Sequence, residues 1–144
     1  MNLLKLADLH PTVVSPETTV SESIKAMVKD RVGAVLVGVH NKPTGIFTER
    51  DVMVRVIDPG LDPATTKVSE VMATPVKSIR PSASPVDALL LMNERHFRHL
   101  PITAEDGTIL GMLSIRNLLR AQIEFLSREL NGLEAYVTAD GFGG

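Results

Sequence analysis

The sequence predicts an α/β fold: two copies of one β-α-β-β-α unit, then a long C-terminal helix. Three observations predict it. The stretch VVSPETTVSESIKAMVKD superimposes on VKSIRPSASPVDALLLMNER, with Pro16 over Pro81 and Met27 over Met92 at a constant offset of 65. Further on, Gly45 of PTGIFTERD falls over Gly111 of ILGMLSIRN at an offset of 66, a one-residue slip that a hairpin tip absorbs. Beyond the repeat, Leu119, Ile123, Leu126, Leu130, Leu133 and Val137 step by 4, 3, 4, 3, 4, which is heptad spacing on a helix. A repeat of this length is a duplicated supersecondary unit, and two such units bury their apolar faces against each other. The cleft between them is therefore the first candidate for a functional site.

Each unit opens with a short strand, expected at 12–15 and again at 76–79. A helix follows, and each helix carries its own start signal. Thr19 is placed to be an N-cap with Glu22 closing a capping box; Ser84 is placed likewise, with Pro85 at the first helical position and Asp87 three residues after the cap. Val20, Ile24 and Met27 recur on one helical face, and Leu89 and Met92 repeat the last two of those positions. A strand pair comes next. Ala34–Val39 leads to a turn expected at 41–43 and a strand at 44–48; the matching pair is His99–Thr103 and Ile109–Ser114, with a turn at Asp106-Gly107, a strong hairpin signal. A second helix starts after Thr48 and after Ser114. Residues 58–66, with two prolines and a glycine, read as a linker. The heptad stripe of the last helix has two readings, packing back on its own domain or contact with a second copy.

Composition narrows the function classes. The 144 residues suit one domain with a shared core. Fifteen basic against 17 acidic residues give a net charge of −2 with no basic block, so no nucleic-acid partner is expected. The absence of cysteine excludes disulfides, thiolate metal sites and cysteine nucleophiles. No apolar run approaches the roughly 20 residues that span a bilayer, and MNLLKLADLH is too short and too interrupted by charge for a secretory signal. The expectation is a soluble cytoplasmic protein with no membrane partner.

Two motifs at matching places carry the chemistry: Gly45-Ile46-Phe47-Thr48-Glu49-Arg50-Asp51 and Gly111-Met112-Leu113-Ser114-Ile115-Arg116-Asn117. Each is a glycine, an apolar pair, a hydroxyl, and a carboxylate or amide three residues later. At a strand-to-helix junction this pattern is what helix capping alone produces. The same geometry also suits a ligand, because a helix N-terminus offers unpaired N–H groups to an anion and a carboxylate can accept both hydrogens of a ribose diol. His96-x-x-His99 lacks third and fourth metal ligands, and Glu49 and Asp51, two apart at a helix start, diverge. With no nucleophile–base–orienter set and no phosphate-cradling glycine loop, neither an enzyme nor a metal site is expected.

The two in-register motifs, with RHLPI inside the second copy and the connecting GLDPATTKVSEVMATPV, resemble a tandem pair of CBS domains of the stand-alone regulatory type. The resemblance covers about 6–120. It implies repeats at 6–60 and 67–121 packed about a pseudo-twofold axis; beyond them the heptad stripe reads as a helical extension at 122–138, and the three glycines within 139–144 as a flexible tail. It also implies two clefts that bind an adenosine-containing ligand, AMP, ADP or ATP, as a regulatory ligand and not as a required cofactor. Carried over by position, the first cleft joins Ile46, Thr48, Arg50 and Asp51 to Thr74, Val76, Phe97, Arg98, His99 and Pro101. The second joins Met112, Ser114, Arg116 and Asn117 to Thr12, Val13, Val32, Gly33 and Ala34. The first is expected to bind better: Asp51 is a carboxylate for the ribose, and Arg98 with His99 can hold a phosphate. In the second, Asn117 is an uncharged amide where the family usually has Asp. The resemblance further implies a homodimer and a protein target that receives the signal. S-adenosylmethionine or a nicotinamide dinucleotide as effector, and a scaffold with empty clefts, stay open.

Overall fold

The computed structural model describes residues 2–137, with side chains as far as residue 133. The expected tail at 139–144 lies outside the described residues. The first half runs through a 3-10 turn (Leu3–Lys5), β1 (Val13–Val14), α1 (Val20–Asp30), β2 (Ala34–Val39) and β3 (Lys42–Thr48). It ends in α2, which starts at Glu49–Asp51 and widens into a π-helical Val52–Ile57. The second half repeats the order with a 3-10 turn (Val68–Glu70), α3 (Pro85–Arg95), β4 (His99–Thr103), β5 (Ile109–Ser114) and α4 (Ile115–Val137).

Local chemistry sets the helix starts. Ser84 Oγ accepts the Asp87 N–H at 3.0 Å while the Asp87 carboxylate accepts the Ser84 N–H at 3.3 Å, a full capping box with Pro85 in the first turn. Thr19 forms only one half of the expected box, accepting from Glu22 N–H at 3.2 Å. Both helices end on a residue in the left-handed region, Arg31 (φ 55°) and His96 (φ 59°). The residues at 58–66 are not a loose tether: Ser21 N–H donates to Pro63 O and Val20 N–H to Thr66 O, both at 2.9 Å.

β1 and β2 run parallel with α1 as the crossover, and β2 and β3 form an antiparallel hairpin. Its turn sits one to two residues earlier than expected, at His40 and Asn41. Both have positive φ, as a tight two-residue hairpin turn requires, so Lys42 and Pro43 already belong to β3. The second sheet has two strands, β4 and β5, and the strand expected at 76–79 is reduced to one bridge between Ile79 and Ile102. The reason is Pro101. In the first half Leu36 N–H donates to Thr12 O at 2.9 Å and extends the ladder; Pro101, 65 residues on, has no N–H to donate.

The core has three parts. Val20, Met27, Val35, Val37, Phe47 and Val56 fill the first half, and Ala88, Met92, Leu100, Ile102, Leu113 and Leu118 the second. Leu36, Ile109 and Met112 meet between the sheets, with Ile46 against them. The leading 3-10 turns are exchanged: Val68 and Val71 pack in the first half's cluster, and Leu3 packs in the second half's. Behind each turn the chain crosses the other half's last strand. Asp8 and Met112 exchange two backbone hydrogen bonds of 2.9 Å, and Ala73 and Ile46 exchange two of 2.8 and 3.0 Å. Among the described side chains of α4 only Leu118 is buried. Leu119, Ile123, Leu126, Leu130 and Leu133 are 49–63% exposed, so these five do not pack back on their own domain; the Val137 side chain lies outside the described ones.

Candidate ligand-binding cleft

A cavity of about 850 Å³ opens between the two halves. The first half contributes Thr12, Val32, Gly33 and Ala34, and the second contributes Met112, Ser114, Arg116 and Asn117. These are the residues expected in the second cleft; Val13 lies outside the lining. Arg98 and His99, expected opposite Asp51, line this cavity as well.

Backbone pairing brings these groups together. His99 stands opposite Ser114 in the β4–β5 ladder, and Ile115 N–H donates to Arg98 O at 2.9 Å. The first half has the same join: Ala34 stands opposite Thr48, and Glu49 N–H donates to Gly33 O at 3.0 Å. Ser114 caps α4 through its Oγ, which accepts the Asn117 N–H at 3.1 Å. The Asn117 carboxamide has no hydrogen-bond partner among the described residues, so it is available to a ligand. The start of α4, from Ser114 to Asn117, thus lies on the cavity lining. Burial holds the His99 imidazole below its ordinary value of 6.5; the Glu49 carboxylate opposes this shift and Arg98 adds to it. His99 is therefore neutral at pH 7.

The remainder of the first set lies outside this lining. Ile46 is bridged to Ala73. Thr48 and Asp51 form a complete capping box, the Asp51 carboxylate accepting the Thr48 N–H at 3.0 Å, and the same carboxylate meets Arg55 Nε at 3.4 Å. Arg50 is exposed and Val76 half-buried. Thr74 Oγ1 donates to Thr44 O at 3.0 Å. Phe97 packs on the second half's core, and Pro101 is buried in β4. The carboxylate expected to hold the ribose thus also caps its own helix.

Sequence reasoning did not assign Asp8, Arg31 or Glu49 to a cleft, yet all three line the cavity. Asp8 had a signal, since it stands 65 residues before Ala73, inside a stretch that crosses the other half's last strand. Arg31 precedes Val32 at the end of α1, where only the left-handed turn aims it. Among the described residues no three metal-ligating side chains cluster, and no helix is long and apolar enough to cross a membrane.

Comparison with known proteins places this architecture. The CBS domain family matches residues 6–58 and 68–124. The chain is 33% identical over 126 residues to the mitochondrial CBS domain-containing protein CBSX3 of Arabidopsis thaliana, covering 84% of this chain and 61% of that protein's length. A solved structure of a protein with CBS domains from Burkholderia ambifaria matches at a TM-score of 0.79 and 29% identity, over 86% of this chain and 95% of the other. The CBS domain protein PAE2072 of Pyrobaculum aerophilum, solved in complex with AMP, matches at a TM-score of 0.74 and 22% identity, over 81% and 89% of the two chains.

Proposed function

The chain belongs to the CBS-domain family, with two such domains in tandem, and on that premise we propose that it is a regulatory module that binds an adenosine-containing ligand between its repeats. The observation that carries the reading is the 850 Å³ cavity, within the usual size range of small-molecule sites. It is lined by the Ser114–Asn117 turn of one repeat and by Thr12 and Val32–Ala34 of the other. Asn117 and Ser114 take the ribose side, Val32 and Ala34 the adenine, and Arg98, Arg116 and the α4 N-terminus the phosphate. The AMP complex of PAE2072 supports the class of ligand.

A ligand held by both repeats favours one relative arrangement of them only by the difference in its affinity for the two arrangements. That difference is what a protein target reads. The module acts without catalysis, as a homodimer, and in the cytoplasm; localisation of the tagged chain checks the last point against the mitochondrial Arabidopsis relative. Calorimetric titration with AMP and adenosine tests the reading. AMP should bind more tightly than adenosine, and Asn117→Ala should weaken both. If neither binds while S-adenosylmethionine or a nicotinamide dinucleotide does, the effector is wrong; if none binds, the module is a scaffold.

A further inference from the structure

We infer that the cavity takes an adenine nucleotide bearing more than one phosphate, and that Arg31 is the residue that selects it over the monophosphate. This rests on the nucleotide reading above. Three arginines line the cavity from three elements: Arg31 from the end of α1, Arg98 from the entry to β4, and Arg116 from the first turn of α4. None has an ion-pair partner among the described residues. The lining also holds two carboxylates, Asp8 and Glu49, so three cations face two anions around one space. The charged lining thus carries one net positive charge, which favours an anionic ligand.

The three do not stand together. Arg98 and Arg116 belong to the second half and are held close by the Ile115–Arg98 backbone bond of 2.9 Å. With the α4 N-terminus they suffice for one phosphate. Arg31 comes from the opposite half, and a monophosphate seated on the second half leaves it without a phosphate contact. A chain of two or three phosphates offers anionic oxygens to both halves at once. Arg31 sits at φ 55°, ψ 44°, the left-handed C-cap conformation that His96 also takes and that glycine adopts at less cost.

The test is calorimetric titration of the full chain with adenosine, AMP, ADP and ATP in magnesium-free buffer, with pyrophosphate as a separate probe of the arginines. Affinity should rise from AMP to ADP to ATP. Arg31→Gly preserves the left-handed backbone and removes the guanidinium. It should cut ATP affinity by about tenfold or more, the scale of a hydrogen bond to a charged group, and leave AMP unchanged. Arg31→Lys should retain part of the preference. A melting temperature for Arg31→Gly at or above that of the parent protein shows that the variant is folded. AMP binding as tightly as ATP, or Arg31→Gly weakening AMP and ATP equally, overturns the inference and leaves the nucleotide reading standing. Pyrophosphate binding with no response to any adenosine compound overturns the nucleotide reading and keeps a polyphosphate site.

Discussion

Asp51 and Asn117 stand at matching places in the two halves, and their side chains are differently engaged. The Asp51 carboxylate caps its own helix and meets Arg55, whereas the Asn117 carboxamide has no partner among the described residues. Asp51→Ala should therefore cost about 1 kcal/mol of stability, the typical loss of a capping group, and leave AMP affinity unchanged. A folded Asp51→Ala protein with weakened AMP binding would put the ligand in the first cleft instead. His99 makes a second prediction. Its pKa is lowered in the folded chain, mainly by burial. Below pH 6.5 the unfolded chain then binds a proton that the folded chain does not, so stability falls as pH drops through that value and levels off once the folded imidazole titrates. Thermal melts at pH 7 and pH 5.5 should show this loss, and His99→Gln should reduce it. A His99→Gln protein with an unchanged pH slope would show that other groups cause it.

At the scale of elements, each half corrects an impression left by the other. Ser23 on α1 is fully buried with an unpartnered hydroxyl, and the residue at its place on α3 is the buried Ala88. Ser23→Ala should stabilise the chain by about 1 kcal/mol, because it removes an unsatisfied buried group without leaving a hole. Urea unfolding measures this, and a destabilised variant would mean the hydroxyl has a partner in solution. Gly111 shows the opposite constraint. A Cβ there would lie 2.9 Å from Asp8 O, so the N-terminal segment crosses β5 only because residue 111 has no side chain. Gly111→Ala should cost about 1–3 kcal/mol as overpacking does and loosen Asp8 at the cavity rim. The glycine was legible in the sequence as part of a motif. Its reason was not, because the segment that passes over it is about 100 residues away in the chain.

For the molecule as a whole, the apolar stripe of α4 is uncovered along its described side chains, with Ile123 and Leu130 alternating with Leu119, Leu126 and Leu133 at 3–4 spacing and all five about half exposed or more. Surfaces of this kind mark interaction sites, and an isologous contact between two copies is the commonest way to cover one. Light scattering should give about twice the 15.6 kDa chain mass, and Leu126→Glu, which places a charge in the middle of the stripe, should lower it. A parent protein that stays monomeric at micromolar concentration removes the dimer. Ligand binding also has a readout at this scale. A nucleotide at one hundred times its dissociation constant should stabilise the fold by about 2.7 kcal/mol, seen as a raised melting temperature.

By itself, the sequence determined the duplication, the helix starts, the paired strands and the two matching motifs. Each of these is written in near neighbours along the chain: Ser84 with Asp87, Thr48 with Asp51, the valine-rich run of β2. The in-register repeat also carried the family, since a pattern present twice needs no tertiary information to be seen. Only the tertiary structure brought Asp8, Arg31, Glu49, Arg98 and Asn117 together around one cavity. It likewise decided that the leading turns are exchanged between halves, and that the strand expected at 76–79 fails at one missing N–H on Pro101. The spacing of residues along a chain sets local hydrogen bonds and faces. Which face meets a partner and which encloses a cavity is set by packing between segments far apart in sequence, and those distances are not in the one-dimensional pattern.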